Sequence, residues 1–188
     1  MVGLLGLQGA FLDHIRHLRR LGAESRIVRD AADIEEIDRL ILPGGESTVM
    51  GKFLEEFRMI DPVRERIAGG MPVWGICAGA VLLAGTVDGM PGRLRALPVT
   101  VVRNAYGRQL ASREEDIDVP ILGVAGGNSP FPAIFIRSPR IIGVGREVSV
   151  HARASADPVF VQKGRVMATT FHPELTSDPG FHRFFLAL

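Results

Sequence analysis

Up to about Thr86, short apolar runs alternate with stretches whose apolar residues recur at helical spacing. Val2 to Leu7 is an apolar run closed by Gln8-Gly9, the pattern of a strand buried on both faces. Phe11, Ile15, Leu18 and Leu21 then follow with the period of a helix, and Gly22 stands where a C-cap glycine stands. Ser25 to Val28 predicts a second strand, Ala31 to Ile37 a short helical turn, and Arg39 to Leu42 a third strand running into Pro43-Gly44-Gly45. Glu46 to Phe57 predicts a helix with Ser47 or Thr48 near its start. Ile60 to Ala68 predicts another, entered through Asp61-Pro62 and ended by Gly69-Gly70. Met71-Pro72-Val73-Trp74 reads as a buried strand and Ala80 to Ala84 as a helix, with the turn Gly75-Ile76-Cys77-Ala78-Gly79 between them. This alternation predicts an α/β fold with a doubly wound, mainly parallel sheet flanked by helices. Ligands of such sheets bind at the carboxyl ends of the strands. The loops at Gln8-Gly9, at Pro43 to Ser47 and at Cys77 are therefore expected along one edge.

After Thr86 the helical period fades. Short β-prone runs follow: Val99 to Val102, Ile117 to Leu122, Ala133 to Ile136, Ile141 to Val144, Val148 to His151, Val159 to Val161 and Val166 to Phe171. These predict added strands, several of them antiparallel, that extend or cover the sheet. Asp178 to Leu188 predicts a closing helix with Pro179 in its first turn. Nothing between resembles a linker, so a single domain over residues 1–188 is expected.

Composition removes several function classes. Twenty-two Lys and Arg face 21 Asp and Glu, a net charge of +1, and the signs are interspersed. Such balance argues against nucleic acid or an anionic membrane surface as the main partner. One cysteine rules out an internal disulfide framework and fits a reducing compartment. No apolar run approaches the roughly 18 residues of a bilayer span. Met1 to Gly6 lacks a basic segment and reads as a first strand rather than a signal peptide. The cytoplasm is the expected location, and neither metal nor cofactor is expected.

The turn at Cys77 carries the first chemical signal. Strand, sharp turn and helix with a reactive residue at the turn is the nucleophile-elbow layout. Flanking glycines suit it, and a helix N-terminus favours the thiolate. The competing reading is a small buried apolar side chain. A thiol nucleophile needs a base, and that base an orienting partner. His14 and His17 lie among Arg16, Arg19 and Arg20 and are expected to face solvent, His151 sits in a strand pattern, and His182 lies in the closing helix. His172 instead follows an apolar run, with Pro173 next to it and Glu174 two residues on. Residues two apart share one side of an extended segment, so Cys77, His172 and Glu174 can form a Cys–His–Glu triad. In Pro43-Gly44-Gly45-Glu46-Ser47 no lysine follows the glycines, so a P-loop fits poorly. A backbone N–H of Gly45 fits better as an oxyanion donor together with that of Ala78, leaving Glu46 and Ser47 to hold a polar substrate. Arg103, Asn104, Tyr106 and Arg108 crowd one segment, and Arg137 ends the run Phe135-Ile136. Such arginines either recognise a carboxylate or are solvated surface charges.

Six stretches together carry a family resemblance. They are Leu5-Gly6-Leu7-Gln8-Gly9-Ala10, Leu42 to Thr48, Gly75 to Gly79, Arg103 to Gln109, Phe135-Ile136-Arg137-Ser138-Pro139, and Phe171 to Thr176. The chain resembles the class I, triad-type glutamine amidotransferases and, within them, the vitamin B6 branch, the glutaminase subunits of pyridoxal 5'-phosphate synthases. The resemblance implies that Cys77 is the nucleophile, with His172 and Glu174 completing the triad. It implies that Gly45, Glu46, Ser47, Arg103, Ile136 and Arg137 contact L-glutamine. The implied activity is hydrolysis of L-glutamine to L-glutamate and ammonia. The implied partner is a barrel-shaped synthase subunit, in a ring decorated by glutaminase subunits. Gln8 is singled out as a residue that couples docking of that partner to the oxyanion loop. Two other classes stay open: a different cysteine hydrolase, such as a γ-glutamyl peptidase, and a non-catalytic binding subunit. Leu122 to Pro132 looks longer, and the stretch around Ser155-Ala156-Asp157 shorter, than the resemblance implies.

Overall fold

The computed structural model describes residues 1–103, 112–124 and 130–188. The remainder of the Arg103 to Gln109 stretch, with Asn104, Tyr106 and Arg108, lies outside the described residues, as do residues 125–129 of the Leu122 to Pro132 loop.

The first half follows the apolar pattern closely. Strands β1 (Val2–Leu5), β2 (Ser25–Val28), β3 (Arg39–Leu42) and β4 (Val73–Ile76) alternate with helices α1 (Phe11–Arg20), α2 (Ala31–Glu35), α3 (Ser47–Glu56) and α4 (Ile60–Ala68), and α5 (Ala78–Leu83) follows β4. Asp30 starts α2 with a reciprocal capping box to Asp33. Helix α3 begins at Ser47 as expected, and Glu46 caps it, its carboxylate accepting from the Thr48 N–H at 3.1 Å.

The second half contributes β5 (Ala84–Val87), β6 (Met90–Pro91), β7 (Leu97–Val102), β8 (Ser112–Ile117), α6 (Pro120–Val124), β9 (Phe131–Ile136), β10 (Arg140–Val144), β11 (Ser149–Ala154), β12 (Asp157–Lys163) and β13 (Val166–Thr169). A 3-10 turn at Pro173–Leu175 and α7 (Gly180–Leu186) close the described chain. The expected strand over Ile117 to Leu122 is not formed. Ile117 ends β8 and Pro120 opens α6, because proline lacks the N–H a strand ladder needs but fits a helix start. Strand β8, Ser-Arg-Glu-Glu-Asp-Ile, was hidden by its polarity. Among the described residues it pairs only with β9, whose Phe131, Ala133 and Phe135 supply the apolar face. Pro179 sits at the N-cap of α7 rather than inside its first turn.

The central sheet has seven strands in the order β11-β12-β13-β4-β3-β1-β2. From β13 to β2 every pairing is parallel, while β12 and β11 are antiparallel additions. A four-stranded sheet, β10-β7-β5-β6, and the β8-β9 pair flank it. Strand residues alternate between two cores. Leu5, Leu42, Val73 and Ala168 face one layer with α2 to α5. Leu4, Ile41, Trp74 and Met167 face the other, with Leu18 of α1 and Phe181 and Phe185 of α7. Burial on both faces explains why these strands read as continuous apolar runs. Among the described residues no helix is long and apolar enough to cross a membrane.

Candidate active site

Four adjacent parallel strands, β13, β4, β3 and β1, end at one edge of the sheet. Each is followed by residues that line one cavity of about 480 Å³: His172 beyond β13, Cys77 beyond β4, Gly44 to Ser47 beyond β3, and Gln8 beyond β1. Ala78, Arg103, Ile136 and Arg137 complete the expected set on its wall. Glu174 does not line it; it is fully buried behind His172.

The turn at Cys77 is tight and strained. Cys77 has φ 48° and ψ −97°, in the left-handed half of backbone space that side chains avoid. Its N–H is fixed by the Thr169 carbonyl at 2.8 Å, and the Val81 N–H returns to the Cys77 carbonyl at 3.2 Å. Gly79 allows the crossing of α5 over β3: a Cβ there would lie 2.0 Å from the Leu42 carbonyl oxygen. The thiol is nearly buried and lies 3.8 Å from the Ile136 carbonyl oxygen. Arg137, across the same cavity, also has positive φ, at 44°.

His172 leaves β13 with its N–H bonded to the Ile134 carbonyl at 2.8 Å. Its Nδ1 lies 2.7 Å from Glu174 Oε1. An ionised carboxylate only accepts, so Nδ1 carries the proton and the other ring nitrogen serves the Cys77 thiol. Burial works against the imidazolium, but the bonds to Cys77 and Glu174 and their charges outweigh it and raise His172 to about 10. Burial likewise works to raise Glu174, yet the bond to His172 and the neighbouring imidazoles keep it below its ordinary value. Thiol, imidazole and carboxylate thus stand in the order an activated nucleophile requires.

The opposite wall is held by Gln8. The Glu46 N–H donates to Gln8 Oε1 at 2.8 Å, and the Ala10 N–H donates to the Gly44 carbonyl at 3.0 Å. Gly44 packs on the imidazole: a Cβ there would lie 2.3 Å from His172 Cε1. Arg103 is engaged by Asp88, its Nε 2.6 Å from Oδ2, and its Nη1 donates to Thr48 Oγ1 at 2.9 Å. A larger cleft of about 860 Å³ continues from the cavity across the shared residues Ser47, Thr48, Val81 and Arg103.

One expectation is overturned. His14 and His17 do not face solvent; both are fully buried, together with His182 of α7. His14 lies three residues after Phe11 and four before Leu18, so the stripe that α1 turns inward includes it. The arginines around it on the chain concealed this. Arg16 and His17 reach across to the Glu174 carbonyl, each at 3.2 Å.

A doubly wound sheet with a cysteine elbow beside a His–Glu pair defines a class of α/β proteins built for nucleophilic chemistry on a small polar substrate. The chain belongs to the SNO glutamine amidotransferase family, whose model matches residues 4–188. It is 46% identical over 188 residues to pyridoxal 5'-phosphate synthase subunit PdxT of Thermotoga neapolitana, covering 100% of this chain and 98% of the relative. The PdxT of Pelotomaculum thermopropionicum is 48% identical over 187 residues, covering 98% and 93%. A crystal structure of a glutamine amidotransferase, 45% identical, superimposes with a TM-score of 0.92 over 99% of this chain and 97% of that one.

Proposed function

We propose that this chain is the glutaminase subunit of a pyridoxal 5'-phosphate synthase, releasing ammonia from L-glutamine for a synthase subunit. The observation that carries the reading is the placement of Cys77, on a strained elbow, beside an imidazole anchored by a buried carboxylate, in a chain of this family.

The reaction runs in two halves. Glutamine enters with its α-carboxylate toward Arg103 and Arg137 and its α-amine toward Glu46 and Ser47, which leaves the side-chain amide over Cys77. The Cys77 thiolate adds to the amide carbon. The resulting oxyanion is held by the N–H groups of Gly45 and Ala78, a contribution of about 3 kcal/mol per donor. His172, protonated and steadied by Glu174, gives its proton to the departing nitrogen, and ammonia leaves. Water then attacks the thioester with His172 as base, and glutamate is released with the thiol restored. Ile136 supports the substrate from the far wall. Gln8 grips the loop that carries Gly45, and a synthase subunit docking on this edge sets that loop through Gln8. Ammonia free in water becomes ammonium, so the subunits assemble with the site sealed against the synthase, in the cytoplasm.

Ammonia release from free glutamine, measured with and without the synthase subunit, tests this reading. Release that depends on Cys77 and is raised by the synthase is the expected result. Hydrolysis of γ-glutamyl peptides in preference to glutamine, or no release with the synthase present, would overturn it.

A further inference from the structure

Behind Glu174, on the side away from the cavity, lies a group of histidines that the proposed reaction leaves unused. His14 and His17 come from α1 and His182 from α7, and all three are fully buried. His14 Nδ1 lies 2.9 Å from His182 Nε2. The His17 ring stacks on His182 with centroids 4.3 Å apart. Trp74, three residues before Cys77, meets His14 and His182 edge-on at 5.7 and 5.0 Å. The cluster touches the segment that carries Glu174, because His17 Nε2 bonds its carbonyl at 3.2 Å and Arg16 spans the Glu174 and Thr176 carbonyls.

Two buried polar atoms at this junction have no hydrogen-bond partner among the described residues: Glu174 Oε2 and His14 Nε2. The two side chains are near enough for the charge of each to act on the other. A carboxylate oxygen accepts only, so what serves Oε2 must donate. The tautomers of the cluster follow from that requirement. With its proton on Nε2, neutral His14 offers Nδ1 as an acceptor, and His182 Nε2–H donates to it. His17 Nε2 faces a carbonyl and therefore donates too. The remaining unpartnered atoms, Nδ1 of His17 and of His182, are then bare lone pairs, and no buried N–H of the cluster is stranded. The opposite tautomer of His14 would leave Nε2 a bare lone pair with no proton to offer the carboxylate. Burial holds His14 at about 4 and lowers His17 and His182, so the three rings are neutral at working pH.

We propose that His14 is a positioning residue: its Nε2–H serves Glu174 Oε2, directly or through one bridging water, and His182 fixes the tautomer that makes this possible. A carboxylate gripped at both oxygens keeps its charge and cannot swing away from His172. The rate readout below rests on the glutaminase reading; the others do not.

The test compares His14→Phe with His14→Gln. Phenylalanine fills the space without a donor, whereas glutamine keeps an N–H at similar reach. With the synthase subunit present, His14→Phe is expected to lower kcat for glutamine about 10- to 100-fold, the worth of one hydrogen bond to a charged group, with KM unchanged. His14→Gln restores most of it. Alkylation of Cys77 by iodoacetate, whose anion is drawn to the imidazolium, loses rate as His172 deprotonates. In His14→Phe that loss should begin about one pH unit lower. Equal impairment in the two variants, or no change of kcat and alkylation profile in His14→Phe, would overturn the proposal. Should the phenylalanine variant fail to fold, nitrogen-15 histidine NMR of the wild-type chain decides. Nε2–H tautomers at His14 and His182 are expected, and an Nδ1–H at His14 refutes the assignment. Expected tautomers and alkylation profile with no ammonia from glutamine would count against the glutaminase reading alone.

Discussion

The two sides of the His172–Glu174 pair are built from different material. The side facing the cavity is largely backbone: the strained turn at Cys77, the Gly44-Gly45 loop, and one side-chain amide, Gln8, holding that loop. The side facing the core is side chains: His14, His17, His182 and Trp74, all fully buried. A wall of backbone sets where N–H groups point but leaves no room for a Cβ. A wall of buried side chains excludes water and thereby sets charge. His172 sits between them and is pushed up, while His14 behind it is pushed down.

Substitutions on the front wall should act on rate. Cys77→Ala is expected to lower ammonia release by about 10⁴-fold or more while glutamine still binds by calorimetry, since removing a nucleophile disables the whole unit. Wild-type release from that variant, with the synthase present, would end the assignment of the nucleophile. Gly44→Ala places a methyl group 2.3 Å from His172 Cε1. The imidazole must move, and misplacement on that scale costs on the order of 10²-fold in kcat. A near-normal kcat would mean that the Gly-Gly loop changes shape before catalysis.

The back wall should act on acid stability. In the unfolded chain His14 titrates near 6.5, in the folded chain at about 4. Stability from its neutral form is therefore complete above pH 6.5 and is lost as pH falls toward 4, by about 3 kcal/mol. Thermal melts of wild type should fall over that range, and those of His14→Gln should fall less. The front wall has the opposite sign. His172 is raised, so its contribution is complete below 6.5 and is lost as pH rises toward 10. The gap in melting temperature between wild type and His172→Gln should narrow over that upper range. A gap that widens instead would place the neutral imidazole in the folded state. The smallest effect is expected at Gln8. Its bond to the Glu46 N–H contributes about 1 kcal/mol, so Gln8→Ala should reduce synthase-stimulated hydrolysis several-fold. An unchanged stimulation would remove Gln8 from the coupling.

The front wall was legible along the chain because it is made of local motifs. Glycine pairs, an elbow and a His-Pro-Glu stretch each announce a backbone shape within a few residues. The parallel strands were legible too, since burial on both faces writes them as unbroken apolar runs. The back wall was not. His14 and His17 stand between arginines, and only the inward stripe through Phe11, Ile15 and Leu18 shows which way they turn. Strand β8 was missed for a similar reason: its apolar face belongs to β9.

The sequence by itself determined the alternating α/β order, the three loops at the strand ends, and the residue types for a thiol, a base and an orienting carboxylate. Periodicity and turn chemistry act within a few residues, and those features need no more. Only the tertiary structure decided that β1, β3, β4 and β13 lie side by side, so that residues from Gln8 to His172 share one cavity. It alone decided that α1 and α7 bury three histidines against Glu174. Adjacency across more than a hundred residues, and the burial that sets the charge of a histidine, come from packing, which no local pattern records.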